Sequence, residues 1–252
     1  MIETTADRRP PVELAAVWLI GRRAAVEALT DRMTMIMSGV LSLVLPVFIV
    51  ISGIRPAAGS ASAVDVLGTV LGVYLLINGL LPSAAAIGIT AGQFAGEKEQ
   101  GSLTPLLASP ASNVAIFGGK ILGAVLPALL FSAVAEVAYV GSLVVLVGVE
   151  KVRLIPLPLA LAMLLLVPEV ALFASILAAF VSSRVRTFNA AQQISGIVAL
   201  PVIGIVTGVA FVTSSAGGGA LAAEVAALAC LDIALWLATA VTWRREEALA
   251  RL

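Results

Sequence analysis

Gly96-Glu97-Lys98-Glu99-Gln100-Gly101-Ser102-Leu103-Thr104-Pro105-Leu106-Leu107-Ala108-Ser109-Pro110 is a dense polar run set between long apolar stretches, and another apolar stretch opens soon after it with Gly119-Lys120. Reading this run as a short loop between membrane-grade segments decides the fold. A chain that places such a charge cluster in a short loop beside the bilayer offers that loop to a partner.

Composition supports the membrane reading. The 252 residues are 60% hydrophobic and 12% charged, and mean hydropathy is +1.10. Soluble domains carry about 25% charged residues, so this chain has too little charge to coat a water-facing surface. One bundle in lipid, covering residues 1–252 as a single domain, is the natural unit. Fifteen Lys and Arg balance fifteen Asp and Glu, which leaves no bulk electrostatic case for nucleic acid. There is no histidine and one cysteine, Cys230. An internal disulfide, most zinc and haem ligand sets and the commonest general base are thereby excluded. The polar stretch Met1 to Pro11 does not read as a signal peptide. The abundance of Arg, Ala, Val and Gly points to a GC-rich prokaryotic genome.

Crossing the hydrocarbon takes about 20 apolar residues, and only helices or closed barrels satisfy the backbone there. Six helical spans are expected, at about 33–54, 64–92, 115–149, 154–181, 194–212 and 220–243. The fold class is therefore all-α and polytopic. Pro46 is expected to kink the first span, and Pro156, Pro158 and Pro168 to break the fourth. With the N-terminus inside, twelve of the fifteen Lys and Arg fall in inside segments, and only Arg55, Lys151 and Arg153 fall outside. That bias places both termini and the loop at 93–114 in the cytoplasm of a cell (inner) membrane. Residues 12–32 are too short in apolar content to cross. Leu14, Val17, Trp18, Gly21, Ala25, Ala28 and Leu29 share one helical face, which predicts an interfacial helix along the inner leaflet with Trp18 at headgroup depth. The plainer alternative is a lead-in of no special role.

No phosphate cradle is present. The Gly119-Lys120 pair is followed by Ile121 and has Val114 where the first glycine of that motif belongs. The chain is not expected to hydrolyse ATP itself or to carry a cofactor or metal. Glu136, Glu169, Asp232 and Glu224 fall within spans, where an ionisable group costs roughly 3 kcal/mol or more and so faces the bundle interior or a wet cavity. By helical rise Glu136 and Glu169 fall at similar depth and could share one polar pocket. Two separately satisfied structural carboxyls, or protonated ones hydrogen-bonded to neighbouring helices, are the plainer reading. Gly68-x-x-x-Gly72 and Gly204-x-x-x-Gly208 allow close helix approach, within the bundle by default, or at a dimer seam near Gly204 and Gly208.

The run from Gly96 to Pro110, followed by Gly119-Lys120, resembles the first intracellular loop of type-2 ATP-binding-cassette transporter permeases, which reads roughly E-[KR]-E-x-G-[TS]-L-E-x-L-L-x-[ST]-P and then Gly-Lys. Leu29 to Met33 looks like the family's basic entry to the first span, and Ser182 to Gln193 like its second intracellular loop. Thr104 stands where the family often has glutamate, so that charge is missing here. The resemblance covers nearly the whole chain. It implies an ABC exporter permease with six spans, an N-terminal elbow helix and a coupling helix in the first loop. Two permease copies or paralogues would pair with two cytosolic ATPase subunits, which hold the ATP and magnesium. The coupling contact would be made by Glu97, Lys98, Glu99, Gly101, Leu103, Leu106 and Leu107, with Arg184 and Arg186 in a second contact. Two other readings remain: an ion-coupled secondary carrier using Glu136, Glu169 and Asp232, and a haem-exporter-like or non-transport ABC membrane subunit. The Ala-, Val-, Leu- and Ile-rich spans suit a lipophilic cargo, and the family analogy admits drugs, lipids, peptides and sodium.

Overall fold

The computed structural model describes residues 10–59, 64–101, 111–185, 187–213 and 218–242. Every element among them is helical. Helix α1 is Pro10–Thr30. Six further helices are long and apolar enough to cross a membrane: α2 (Arg32–Ala58), α3 (Leu67–Glu99), α4 (Asn113–Leu146), α5 (Leu157–Ser182), α6 (Phe188–Val212) and α7 (Gly219–Thr239). The chain is therefore an all-helical, multi-pass membrane protein. In α3 and α5, 61% and 67% of the most apolar stretch is buried inside the bundle, against 22%, 28% and 17% in α2, α6 and α7. The first two form the centre and the last three the periphery. Leu76, Leu80, Leu166, Val170, Ile203 and Leu228 join α3, α5, α6 and α7 in one core cluster. A second cluster joins Val50 and Ile54 of α2 to Leu71 of α3 and Tyr139 and Leu143 of α4. Buried Tyr139 also donates its hydroxyl to the Leu71 carbonyl at 2.8 Å, which satisfies the one polar atom of that ring.

Several boundaries differ from the sequence expectation for local reasons. Asp31 starts α2 as its N-cap, its carboxylate accepting the Thr34 N–H at 2.7 Å. That bond holds the Asp31 carboxyl below its usual range. Pro46 sits where a π-helical turn at Val40–Val44 gives way to α-helix at Leu45–Ile49, so the helix widens by a turn to accommodate the missing N–H. Pro156 and Pro158 do not break the fourth span. Pro156 is its N-cap and Pro158 lies in its first turn, where a missing N–H leaves no bond unmade. Pro168 lies inside α5 without ending it.

The second span does not stop near residue 92 as expected. It runs on through a π-helical turn at Gly92–Gly96 to Glu97–Glu99. Gly101, at φ +69°, then turns the chain in the left-handed region, a conformation glycine adopts without a Cβ penalty. The fifth span likewise starts at Phe188, earlier than the expected 194.

Helix α1 packs along α4, and small residues explain how. A Cβ on Gly119 would lie 2.7 Å from the Ile20 Cβ, and one on Gly123 would lie 2.5 Å from the Ala24 Cβ and 2.9 Å from the Gly21 carbonyl oxygen. Gly21, Ala24, Ala25 and Ala28 are buried, whereas Leu14, Trp18 and Leu19 are exposed. The face expected to be uniformly apolar is thus divided. Its small members approach α4, and its large members Leu14 and Trp18 point outward because their bulk would hold the two backbones apart.

Candidate functional site

Two places in the bundle gather ionisable side chains: the end carrying the 97–110 segment, and the interior between α3, α4, α5 and α7. At the first, Lys120 of α4 is 2% exposed and donates to Glu97 Oε2 at 2.6 Å. The same ammonium donates to the Gln93 carbonyl and lies 5.0 Å from the Phe94 ring centroid. Phe94 packs at a tilt against Phe117, and Phe117 edge-on against Trp236, so an aromatic cluster adjoins the buried ammonium. A buried charge is tolerated where it is paired and hydrogen-bonded, and the π-helical turn at Gly92–Gly96 frees a carbonyl for that purpose.

Glu99, two residues on, accepts the Phe188 backbone N–H at 3.0 Å. Phe188 opens α6, whose first amides have no intrahelical partner, so a carboxylate from the first loop serves the start of the fifth span. Arg184 folds back on the end of α5: its guanidinium donates to the Phe180 carbonyl at 2.9 Å and lies 3.5 Å from the Phe180 ring centroid. Lys98 lies half-buried between the two glutamates. Leu103, Leu106, Leu107 and Arg186 lie outside the described residues.

The structure therefore brings together more than the sequence spacing implied. Glu97 and Glu99, expected to offer carboxylates outward, are each engaged within the chain. In the sequence Lys120 stood as part of a failed phosphate motif and of the Gly119-Lys120 pair in the permease resemblance, not as a partner of Glu97. Its signal is the Gly119-x-x-x-Gly123 spacing around it, the same small-residue pattern recognised at Gly68 and Gly204.

In the interior, Glu136 and Glu169 do not share the expected pocket. The Glu136 carboxylate packs against Gly79 of α3, where a Cβ would lie 2.5 Å from its Oε1 and 2.8 Å from the Val167 Cγ2. Both Glu136 oxygens are buried without a hydrogen-bond partner, as are Asn78 Oδ1 and Ser132 Oγ. Glu169 instead meets Asp232 of α7, which is 3% exposed. Neither carboxylate can donate to the other when ionised, and the Asp232 oxygens have no donor among the described residues. One shared proton would turn the contact into a hydrogen bond.

The two glycine pairs part company. Gly68 and Gly72 are filled sites, where Cβ atoms would lie 2.4 Å from the Leu154 carbonyl oxygen and 2.5 Å from the Leu159 Cδ1. Gly204 and Gly208 have nothing within 4 Å among the described residues, on a helix whose Ile197, Leu200, Ile205 and Val212 are exposed.

Among the described residues no group of His, Cys, Asp and Glu could hold a metal ion. No protein-family model matches the chain, and no curated protein matches it either.

Proposed function

We propose that the chain is the membrane-spanning permease subunit of an ATP-driven exporter of the type-2 ATP-binding-cassette kind, lying in the cell membrane with both termini and the 97–110 loop in the cytoplasm. The observation that carries this reading is the loop itself. Its wording resembles the family's coupling segment, and its base is tied to two spans at once, through Glu97 to Lys120 and through Glu99 to the Phe188 N–H. A docking element must be stiff at its root, because a slack loop would bend rather than move the helices it joins. In this reading the stretch from Glu97 to Leu107 is the ATPase-docking element, α1 is the interfacial elbow with exposed Trp18 at headgroup depth, and ATP and magnesium are held by a separate cytosolic ATPase. Purification of the tagged chain from its native membranes tests it: a P-loop ATPase should accompany it and give vanadate-sensitive hydrolysis that drives substrate movement in proteoliposomes. Recovery of the chain alone, with transport driven by an ion gradient, would instead support the second reading. The Glu169–Asp232 contact favours that one, as a proton-binding pair in a secondary carrier.

Orientation has its own test. Cysteines introduced at Gly59 and Gly217 are expected to react with impermeant thiol reagents from outside, and one at Ser183 only from inside. The opposite labelling pattern overturns the positive-inside assignment and the coupling role together.

The open Gly204–Gly208 face, on a peripheral helix, suits a seam with a second permease copy. Replacing both glycines by leucine is expected to lower the dimer fraction about tenfold while leaving the monomer folded, since nothing among the described residues occupies that space. Cross-linking in nanodiscs measures it, and an undiminished dimer places the seam elsewhere.

A further inference from the structure

Lys120 stands where four elements converge. Its ammonium reaches the Gln93 carbonyl at the end of α3 and the Glu97 carboxylate at the loop root. Arg23 and Glu27 of α1 are the other charges that face it. The glycines at 119 and 123, on either side of it, receive α1 itself, and Glu99 carries the connection on to the first turn of α6. Lys120 is almost fully enclosed, while Glu97 keeps about a quarter of its side chain exposed. The pair is therefore asymmetric: the cation depends on the carboxylate, and the carboxylate can turn to solvent or to another cation.

We propose that Lys120 is the positioning residue of the loop, a latch whose ion pair with Glu97 makes the loop root, α1 and the ends of α3, α4 and α6 move as one body, and which opens when Glu97 is drawn outward by a cationic group of the docked partner. The latch is defined by the geometry of this chain alone; its opening by a partner rests on the exporter reading above. Rigid-body motion needs a link that is either made or broken, because packed interfaces are bistable rather than continuously deformable. A desolvated ion pair serves that purpose, since removing one partner leaves the other charge stranded.

The test uses the full chain in nanodiscs, with Cys230, an exposed thiol, replaced by serine. Spin labels go at Arg22 on α1 and Gln100 beyond the loop root, both exposed. Three variants are compared: Lys120→Met, Glu97→Gln and the double variant. Lys120→Met keeps the buried volume and removes the charge, so it should fold and should broaden the Arg22–Gln100 distance distribution about twofold. Glu97→Gln strands the ammonium and should lower the midpoint of thermal unfolding by about 5–10 °C. The double variant should recover most of that midpoint yet keep the broad distribution, which separates positioning from stability. An unchanged distribution in Lys120→Met overturns the latch, as does a double variant whose midpoint loss is the sum of the two singles. A second pair of measurements adds a free cationic peptide, decalysine, to the wild-type chain. Broadening to the Lys120→Met width supports opening by a partner's cation, and no broadening confines the latch to a fixed brace. If the latch behaves as expected while no ATPase accompanies the wild-type chain from its membranes, the exporter reading falls and the latch stands.

Discussion

Gly123→Ala is expected to dislodge α1 from the bundle and to lower stability by about 2–3 kcal/mol, at the upper end of what one added methyl does in a packed site. The new Cβ would stand 2.5 Å from the Ala24 Cβ, 2.9 Å from the Gly21 carbonyl oxygen and 3.3 Å from the Ala25 amide nitrogen. All three are backbone atoms or are fixed directly to backbone, so no side chain can rotate away. Alanine's better helix propensity offsets only about 1 kcal/mol of this. Gly204→Ala is the matched control, because nothing lies within 4 Å of that site and only the propensity gain applies. Unfolding in detergent, followed with the single-cysteine reactivity of a thiol placed at Ala25, should show Gly123→Ala losing stability and exposing that thiol while Gly204→Ala does neither. Equal stability of the two variants would mean that α1 is not seated as described.

Leu106→Asp is expected to reduce recovery of the accompanying ATPase at least about tenfold while the permease remains folded and inserted. The proposed docking surface is an apolar anchor formed by Leu103, Leu106 and Leu107, and a carboxylate at the centre of a desolvated contact removes a hot spot worth about 2 kcal/mol or more. Membrane insertion should be untouched, because acidic residues contribute little to orientation. Leu106→Met keeps size and polarity and should behave as wild type. Complex recovery from membranes and substrate-stimulated ATP hydrolysis are the two measurements, and normal values of both for Leu106→Asp would sink the docking assignment. Glu97→Gln is a poor substitute for this experiment. Its carboxylate neutralises buried Lys120 inside the chain, so loss of the partner and loss of local structure would coincide.

The six spans were legible because length and hydropathy decide them, and lipid imposes that rule with few exceptions. Their ends were less so. Helix α3 extends to Glu99 because Lys120, twenty-three positions beyond Glu97, neutralises that first carboxylate, and α6 begins at Phe188 because Glu99 accepts its N–H. Hydropathy cannot report either, since both depend on contacts between different spans. Prolines misled for a related reason: at Pro156 and Pro158 the sequence shows a breaker, but position within the first turn makes it a starter. The interior carboxyls were identified as residues but not as partners. Equal depth suggested Glu136 with Glu169, whereas helix rotation, which depth does not specify, turns Glu169 toward Asp232 and Glu136 toward Gly79. The small-residue pairs show the same limit, because Gly-x-x-x-Gly permits approach without saying what approaches.

The seat of α1 on α4 also imposes an order on biogenesis. Gly21 of α1 meets Gly119 of α4, so α1, once it leaves the ribosome, waits for a partner encoded 98 residues later. At synthesis rates of about 5–20 residues per second, that wait lasts roughly 5–20 s. During it the Gly21, Ala24, Ala25 and Ala28 face is uncovered, and two complete spans enter the bilayer before α1 can settle. Helix α1 is therefore a late joiner to the tertiary structure despite preceding α2, α3 and α4 in the chain. Nascent chains stalled before residue 119 should leave it accessible to protease, and chains stalled after the third span has emerged should protect it.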